Sequence, residues 1–96
     1  MINKRKAYEE RLDAQLAEWN AEIALLKAKA DKANAETRLA YYRTIETLQH
    51  KQDEAGSKLR ELKSAGDEAW DELKAGAEEA WDEIKAAFNG AAERFK

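Results

Sequence analysis

A five-residue motif recurs at eleven-residue intervals near the end of the chain: LRELK at 59–63, WDELK at 70–74, WDEIK at 81–85 and AERFK at 92–96. Eleven residues make three helical turns at about 3.67 residues per turn, so each repeat returns its apolar residues to one line along the helix. The repeat therefore predicts a helix with a continuous apolar face. We expect that face to dock against another helix.

The first half of the chain carries a different helical pattern, with apolar residues at alternating steps of four and three. Two heptad columns carry them: Leu12, Trp19 and Leu26 in one, and Leu16 and Ile23 in the other. This spacing is typical of a coiled-coil seam. Steps of four follow between residues 33 and 45, and they predict a stutter at which a left-handed supercoil locally unwinds.

Gly56 and Ser57 interrupt this helical pattern. Glycine fits the residue that ends a helix, and serine caps the next helix through its hydroxyl. The preferred prediction is an all-α fold, a long antiparallel helical hairpin with helix 1 at 8–54, a turn at 55–58 and helix 2 at 58–95. The alternative is one continuous helix, about 140 Å long at roughly 1.5 Å per residue.

A second candidate turn lies at residues 64–67, where serine, glycine and aspartate occur together. Pairing arithmetic favours the first turn, because equal rise per residue then places Trp70 beside Tyr41. Reversal at the second turn would instead place Trp81 against the polar Lys51. A large apolar ring against a charged chain is poor packing, so the second turn is the less favoured prediction.

The hairpin leaves residues 1–15 as a basic overhang whose Tyr8 and Leu12 need another subunit or stay exposed. A chain of 96 residues has a marginal core of its own. We therefore expect a homo-oligomer held by the apolar seam. The expected interface and packing residues are Leu12, Leu16, Trp19, Ile23, Leu26, Tyr41, Ile45, Leu48, Leu59, Leu62, Trp70, Leu73, Trp81, Ile84, Phe88 and Phe95.

Composition restricts the functional classes. Charged residues make up 39% of the chain, and proline and cysteine are absent, which is typical of long helices and coiled coils. The lack of cysteine excludes disulfides and thiolate metal sites. The net charge of −3, concentrated in an acidic second half, disfavours nucleic acid as a partner. No apolar run marks a signal peptide or a membrane span, so a cytoplasmic location is expected.

Few side chains have the chemistry of a catalytic or metal site. His50 is the one histidine, and it stands four residues from Glu46 instead of in the Glu-x-x-His spacing of di-iron bundles. Ser57 and Ser64 lack a nearby histidine, so we interpret both as capping or surface residues. The carboxylates at 78–83 are spread along a helix, whereas calcium ligands converge around a loop. We expect no catalytic residue, no metal and no cofactor.

The aromatic residues allow two interpretations. As a stripe at helical spacing they are typical of a packed core. The alternative is an amphipathic helix whose rings insert into a lipid or another hydrophobic surface, with lysines at the boundary. The acidic balance disfavours anionic membranes and leaves neutral lipid as the candidate surface.

Three parts of the chain resemble small bacterial proteins described only as coiled-coil domain-containing: the stretch from Tyr41 to Leu48, the motif at 59–63 and the two Ala-Trp-Asp-Glu-Leu/Ile-Lys motifs. More loosely, the eleven-residue repeats are similar to those of exchangeable apolipoproteins and late-embryogenesis-abundant proteins. That similarity implies lipid association or desiccation protection. Neither resemblance assigns a role to a residue.

These observations together predict a structural or protein-interaction module, a homo-oligomeric coiled coil without catalytic activity. Another helical protein and a neutral lipid surface are further candidate partners. The alternative functions are binding to lipid or another hydrophobic surface, and stress protection by a chain that folds on drying or binding.

Overall fold

The computed structural model describes residues 4–95, which form three α-helices joined by two short turns. Helix α1 spans Lys4–Lys32, α2 spans Ala35–Ser64 and α3 spans Asp67–Arg94. Helices of this size are about 42–45 Å long at roughly 1.5 Å per residue, and the bundle measures 52 × 22 × 19 Å. The all-α class is confirmed.

The first turn lies at residues 33–34, inside the segment where the pattern predicts only a stutter. Asn34 is the N-cap of α2, and its side-chain oxygen accepts a hydrogen bond from the backbone N–H of Thr37 at 3.0 Å. Arg38 closes the other side of the turn by donating to two carbonyl oxygens at the end of α1. These carbonyls have no intrahelical partner, so the arginine replaces water there.

The second turn lies at residues 65–66, within the less favoured candidate turn. Arg5, in the first turns of α1, closes it from the side. Its Nη2 donates to the carbonyl oxygens of Leu62, Lys63 and Ala65 at 3.1, 3.2 and 2.6 Å. The start of the chain thus fixes the end of α2.

The expected turn at 55–58 is wrong, because α2 continues through Gly56 as unbroken helix. A glycine inside a helix costs about 1 kcal/mol relative to alanine, and α2 offsets this cost by burying apolar residues on both sides of it. The expected helix at 8–54 is wrong because the chain turns at residues 33–34, and the expected helix at 58–95 is wrong because the chain turns at residues 65–66. Three shorter helices replace both the two-helix hairpin and the single continuous helix.

The overhang expected at residues 1–15 is wrong for the part that the structure describes. Leu12 is buried, and Tyr8 meets Trp70 of α3 edge to face with ring centroids 5.6 Å apart. The third helix supplies the partner that a two-helix hairpin lacks at this end. Residues 1–3 lie outside the described residues.

Neighbouring helices run antiparallel, which makes α1 and α3 parallel. The contacts that set these directions are Arg5–Leu62 and Gln52–Leu16 between α1 and α2, and Lys51–Glu83 and Arg94–Thr44 between α2 and α3. The backbone of α2 lies close to both other helices. In residues 4–95, by contrast, no Cα of α1 comes within 8 Å of a Cα of α3.

Two apolar clusters fill the bundle. The cluster nearer the first turn is built around Trp19, Ile23, Ile45, Leu48, Ile84, Phe88 and Phe95, and the cluster nearer the second turn around Leu12, Leu59, Leu62, Trp70 and Ala77. Full burial of one such large side chain contributes about 1.5–3 kcal/mol. The large apolar residues of the eleven-residue repeats belong to these clusters or pack against them, so their docking face is used within one chain.

Candidate interaction surfaces

The residues expected at an oligomer interface all lie in the core of a single chain. Leu12, Trp19, Ile23, Ile45, Leu48, Leu59, Leu62, Trp70, Ile84, Phe88 and Phe95 are buried, and Leu16, Leu26, Tyr41, Leu73 and Trp81 are half-buried against them. Their packing partners are therefore residues of the same chain. A surface that binds other molecules must therefore be formed mainly by residues other than these.

Aromatic rings fill the space between α1 and α3. Trp19 stacks on Phe88 with ring centroids 5.7 Å apart and planes 11° from parallel. It also lies 5.7 Å from Trp81, at an angle of 46°. Because these rings keep the two backbones apart, the α1–α3 seam forms a shallow trough along the bundle.

Three clefts follow one another along the α1–α3 seam. The cleft at the Lys4 end holds about 450 Å³, the middle cleft about 280 Å³ and the cleft toward Lys32 about 370 Å³. The first and last differ in chemistry, since one is lined by cations and the other by apolar side chains. We call them the cationic cleft and the apolar groove.

The apolar groove lies between the last turns of α1 and α3. Leu25, Leu26, Phe88 and Ala92 provide its apolar lining, and charged residues of α1 form its rim. Leu25 is 67% exposed, more than the other large apolar residues on the surface. The groove therefore presents an uncovered leucine beside a concave apolar surface.

A strip of small residues on α1 adjoins this groove. Ala7, Ala14, Ala21 and Ala28 recur every seven residues, and Arg11, Glu18, Leu25 and Lys32 form the column beside them; all of these residues are exposed. The alternation of three and four places both columns on one helix face, which we call the alanine face. Sequence reasoning missed it because three of the four intervening residues are charged, although the sevenfold alanine spacing was a readable signal.

The cationic cleft is built on the edge-to-face pair of Tyr8 and Trp70. Arg11 lies 5.4 Å from the centroid of the Tyr8 ring, and Arg5 lies 5.7 Å from that of Trp70. The Nζ of Lys74 is 4.9 Å from the Tyr8 centroid and 5.7 Å from the Trp70 centroid. Each cation is held by attraction to a ring face.

Carboxylates neutralise only part of this charge. Arg5 pairs with two carboxylates at 3.0 Å, and its hydrogen bond to Glu9 raises the pKa of its guanidinium above the ordinary value. Lys74 is 3.9 Å from a carboxylate oxygen of Glu78. Lys4 also lines the cleft, and neither it nor Arg11 forms an ion pair with another described residue.

Two tyrosines have raised pKa values. Burial raises the pKa of the Tyr8 hydroxyl, and the nearby charge of Glu78 raises it further. The hydroxyl of Tyr42 donates a hydrogen bond to Asp31, and this bond raises the pKa of Tyr42. Both tyrosines thus favour the neutral form in the folded chain.

The side chains considered for catalysis or metal binding lie on the surface. His50 pairs with Glu54 at 2.9 Å and is largely exposed. Ser57 lies within α2, where it accepts a hydrogen bond from Arg60 instead of capping a helix. The carboxylates at 78–83 are all exposed, and residues 4–95 contain no cluster of metal-binding side chains. Across the same residues, no helix has the length and apolarity to cross a membrane.

Comparison with known proteins gives no match: no family model, no curated protein and no solved structure matches this chain.

Proposed function

We propose that the protein is a non-catalytic interaction module that self-associates through the alanine face of α1. The observation that carries this proposal is Leu25, a 67% exposed leucine that joins the alanine face to the apolar groove. A single exposed leucine is ordinary on a protein surface. A leucine continuous with a groove and a column of alanines forms a larger apolar strip, and such strips mark interaction sites.

The occupant that we propose is α1 of a second copy, packed antiparallel. In the register that sets Leu25 opposite Ala14 of the other copy, Arg11 lies opposite Ala28 and Lys32 lies opposite Ala7. Each large side chain then faces a small one, as interdigitated packing requires. Twofold symmetry gives every such contact twice.

Charge favours antiparallel over parallel packing of the two copies. In the antiparallel register Arg11 and Lys32 lie opposite alanines, so neither cation faces its own copy. A parallel pair would instead stack Arg11, Glu18 and Lys32 on their own copies, and like charges at these distances repel. One unfavourable contact remains in the antiparallel pair, because both copies place Glu18 near the twofold axis.

The size of the strip sets the expected affinity. A face of α1 about 40 Å long and roughly 10 Å wide covers about 400 Å² per copy. A standard interface buries about 800 Å² per partner. We therefore expect a dimer that dissociates at micromolar concentration, not an obligate oligomer.

The decisive experiment is sedimentation equilibrium over a dilution series. The unmodified chain should shift from monomer to dimer as its concentration rises, and Leu25→Glu should remain monomeric because it places a charge in the strip. Leu39→Glu is the matched control, since Leu39 is 56% exposed and lies on α2; it should dimerise normally. Glu18→Gln should dimerise more tightly. A monomer mass at every concentration, or equal loss of dimerisation in both leucine variants, would exclude the proposal.

Lipid binding and stress protection are weaker proposals, because the rings that would insert into a surface are packed in the bundle. Trp19 is 4% exposed and Phe88 is 9% exposed. Their insertion into lipid would require α1 and α3 to separate and lose the stacking between them. Unchanged tryptophan emission on addition of neutral vesicles would agree with this ranking.

A further inference from the structure

The cationic cleft at the Lys4 end of the seam has a chemistry that self-association does not use. We propose that this cleft binds a multivalent phosphate-bearing anion. The ligand class follows from the side chains that converge there, from their incomplete neutralisation and from the helix ends that surround them.

Four cationic side chains converge on this cleft. Lys4, Arg5, Arg11 and Lys74 line one cleft of about 450 Å³, together with the rings of Tyr8 and Trp70. Two lysines supply mobile point charges, and Arg11 supplies a planar fork of donors that matches phosphate oxygens. A set of four cations in one cleft is unexpected in a chain whose net charge is −3.

Carboxylates balance the positive charge of the cleft only in part. Arg5 donates its hydrogen bonds to Glu9, Asp67 and the carbonyl oxygens that end α2. We therefore assign it a structural role and not a role in binding the anion. Lys4 and Arg11 lack a carboxylate partner among residues 4–95. The four cations counted against Glu9, Asp67 and Glu78 leave the cleft a net charge of about +1. Lys4 and Arg11 are the two side chains with which a phosphate dianion would pair.

Helix orientation adds to this field. Helices α1 and α3 both begin at this end of the bundle, and the start of a helix carries partial positive charge. The first turn of α1 contains no acidic residue to offset this charge, whereas Asp67 and Glu68 offset it in the first turn of α3, so the field comes from α1. The opposing carbonyls at the end of α2 are already occupied by Arg5.

The rings of Tyr8 and Trp70 position the cations before an anion binds. Lys74 and Arg11 are held over the rings of Tyr8 and Trp70 before any anion arrives. Restricting a long side chain in advance lowers the entropy lost when the ligand binds. The same arrangement keeps these cations in the lining of the cleft.

One carboxylate competes with the proposed anion. Glu78 lies 3.9 Å from Lys74 and accepts a hydrogen bond from the Tyr8 hydroxyl at 3.5 Å. A bound phosphate would have to share Lys74 with this carboxylate. Removal of the Glu78 charge should therefore strengthen anion binding, whereas removal of the cations should weaken it.

The experiment is a calorimetric titration of the full chain with inorganic tripolyphosphate at low salt. The chain is kept below the concentration at which it dimerises, and Leu25→Glu is titrated in parallel so that loss of self-association and loss of anion binding are separated. The double variant Lys4→Gln/Arg11→Gln is compared with Lys27→Gln/Arg43→Gln, which removes the same charge from exposed positions outside the cleft. A second arm replaces tripolyphosphate by phosphatidic acid in phosphatidylcholine vesicles.

We expect saturable binding that weakens as salt rises. Lys4→Gln/Arg11→Gln should weaken it by about tenfold or more, since one charge-assisted hydrogen bond is worth roughly that factor, while the control pair should stay within about twofold of the unmodified chain. Glu78→Gln should tighten it. Binding in the first arm alone assigns a soluble anion, and binding of vesicles that the cleft variant abolishes assigns a lipid headgroup. No saturable binding in either arm, or equal loss in both double variants, would overturn the proposal.

Discussion

The indole Nε1 of Trp70 donates a hydrogen bond to Oε2 of Glu9 at 2.9 Å. Trp81 occupies the same position of the next repeat, yet its Nε1 is buried without a hydrogen-bond partner among residues 4–95. Both indoles face α1, and only the first meets a carboxylate there. Two residues that the repeat makes equivalent therefore contribute differently to the stability of the bundle.

Replacement of each indole by phenylalanine isolates this difference. Both Trp70→Phe and Trp81→Phe remove the same volume from the core, but only Trp70→Phe breaks a hydrogen bond to a charged group, worth about 1.5–3 kcal/mol. We expect Trp70→Phe to lower the free energy of unfolding by at least about 1 kcal/mol more than Trp81→Phe. Urea unfolding followed by circular dichroism measures both. Equal losses would mean that Glu9 contributes nothing through Trp70.

Gly56→Ala tests whether the chain turns at Gly56. The residue lies inside α2, and an added Cβ would meet Arg60 at 3.7 Å, an ordinary contact distance. We expect a gain of about 0.5–1 kcal/mol, because alanine is the better helix former, and a rise in Tm of roughly 4 °C. Thermal unfolding gives the value. A fall in Tm would indicate a turn at this glycine and would contradict the three-helix bundle.

Arg5→Ala tests the arginine that closes the second turn. The substitution leaves the carbonyls that end α2 to water and breaks the pairs with Glu9 and Asp67. Because the side chain is 25% exposed, we expect a clear loss of stability that stays below the full value of a buried charged hydrogen bond. Arg43→Ala, at an exposed position of α2, is the control and should change stability by less than about 0.5 kcal/mol.

Hydrogen exchange locates the effect of the same substitution. Arg5→Ala should speed exchange of the amides that flank residues 65–66, because local opening becomes easier where the carbonyls lose their partner. Faster exchange only at the first turn would contradict this role for Arg5.

Alkaline pH should destabilise the bundle through Tyr8 and Tyr42. Their folded pKa values are raised, by burial for Tyr8 and by the hydrogen bond to Asp31 for Tyr42. Above about pH 10 the unfolded chain loses these protons before the folded chain does, so the stability that they contribute is present below that pH and is lost as pH rises. Denaturant unfolding over this range should show a shallower decline for Tyr42→Phe than for the unmodified chain. Parallel declines would show that Tyr42 titrates normally.

The sequence pattern located the core well but misjudged the path of the chain. With two helices alone, reversal at the second turn sets Trp81 against Lys51. Reversal there does bring Lys51 to α3, where it pairs with Glu83 at 3.6 Å, but Trp81 turns instead toward Trp19 of α1. The residue pairing predicted from sequence assumed only two helices, so it could not place Trp81 against a third.

The first turn was also readable in part. Asn34 is a strong N-cap residue, and the heptad column around it changes from large to small side chains. A stutter explains the same change of spacing without a turn, and local pattern alone does not separate the two. The open α1–α3 seam had no signal of its own, because it results from rings on two helices that are not neighbours in sequence.

The sequence by itself determined the helical class and the residues that are buried, because periodicity is a local property that every helix of the bundle expresses. The tertiary structure decided where the chain turns and which faces stay uncovered. The physical reason is one of magnitude: a good N-cap is worth about 1 kcal/mol and a glycine within a helix costs about the same, so local preferences nearly balance. Each large side chain buried by the third helix contributes about 1.5–3 kcal/mol, and the sum of such contacts selects the bundle.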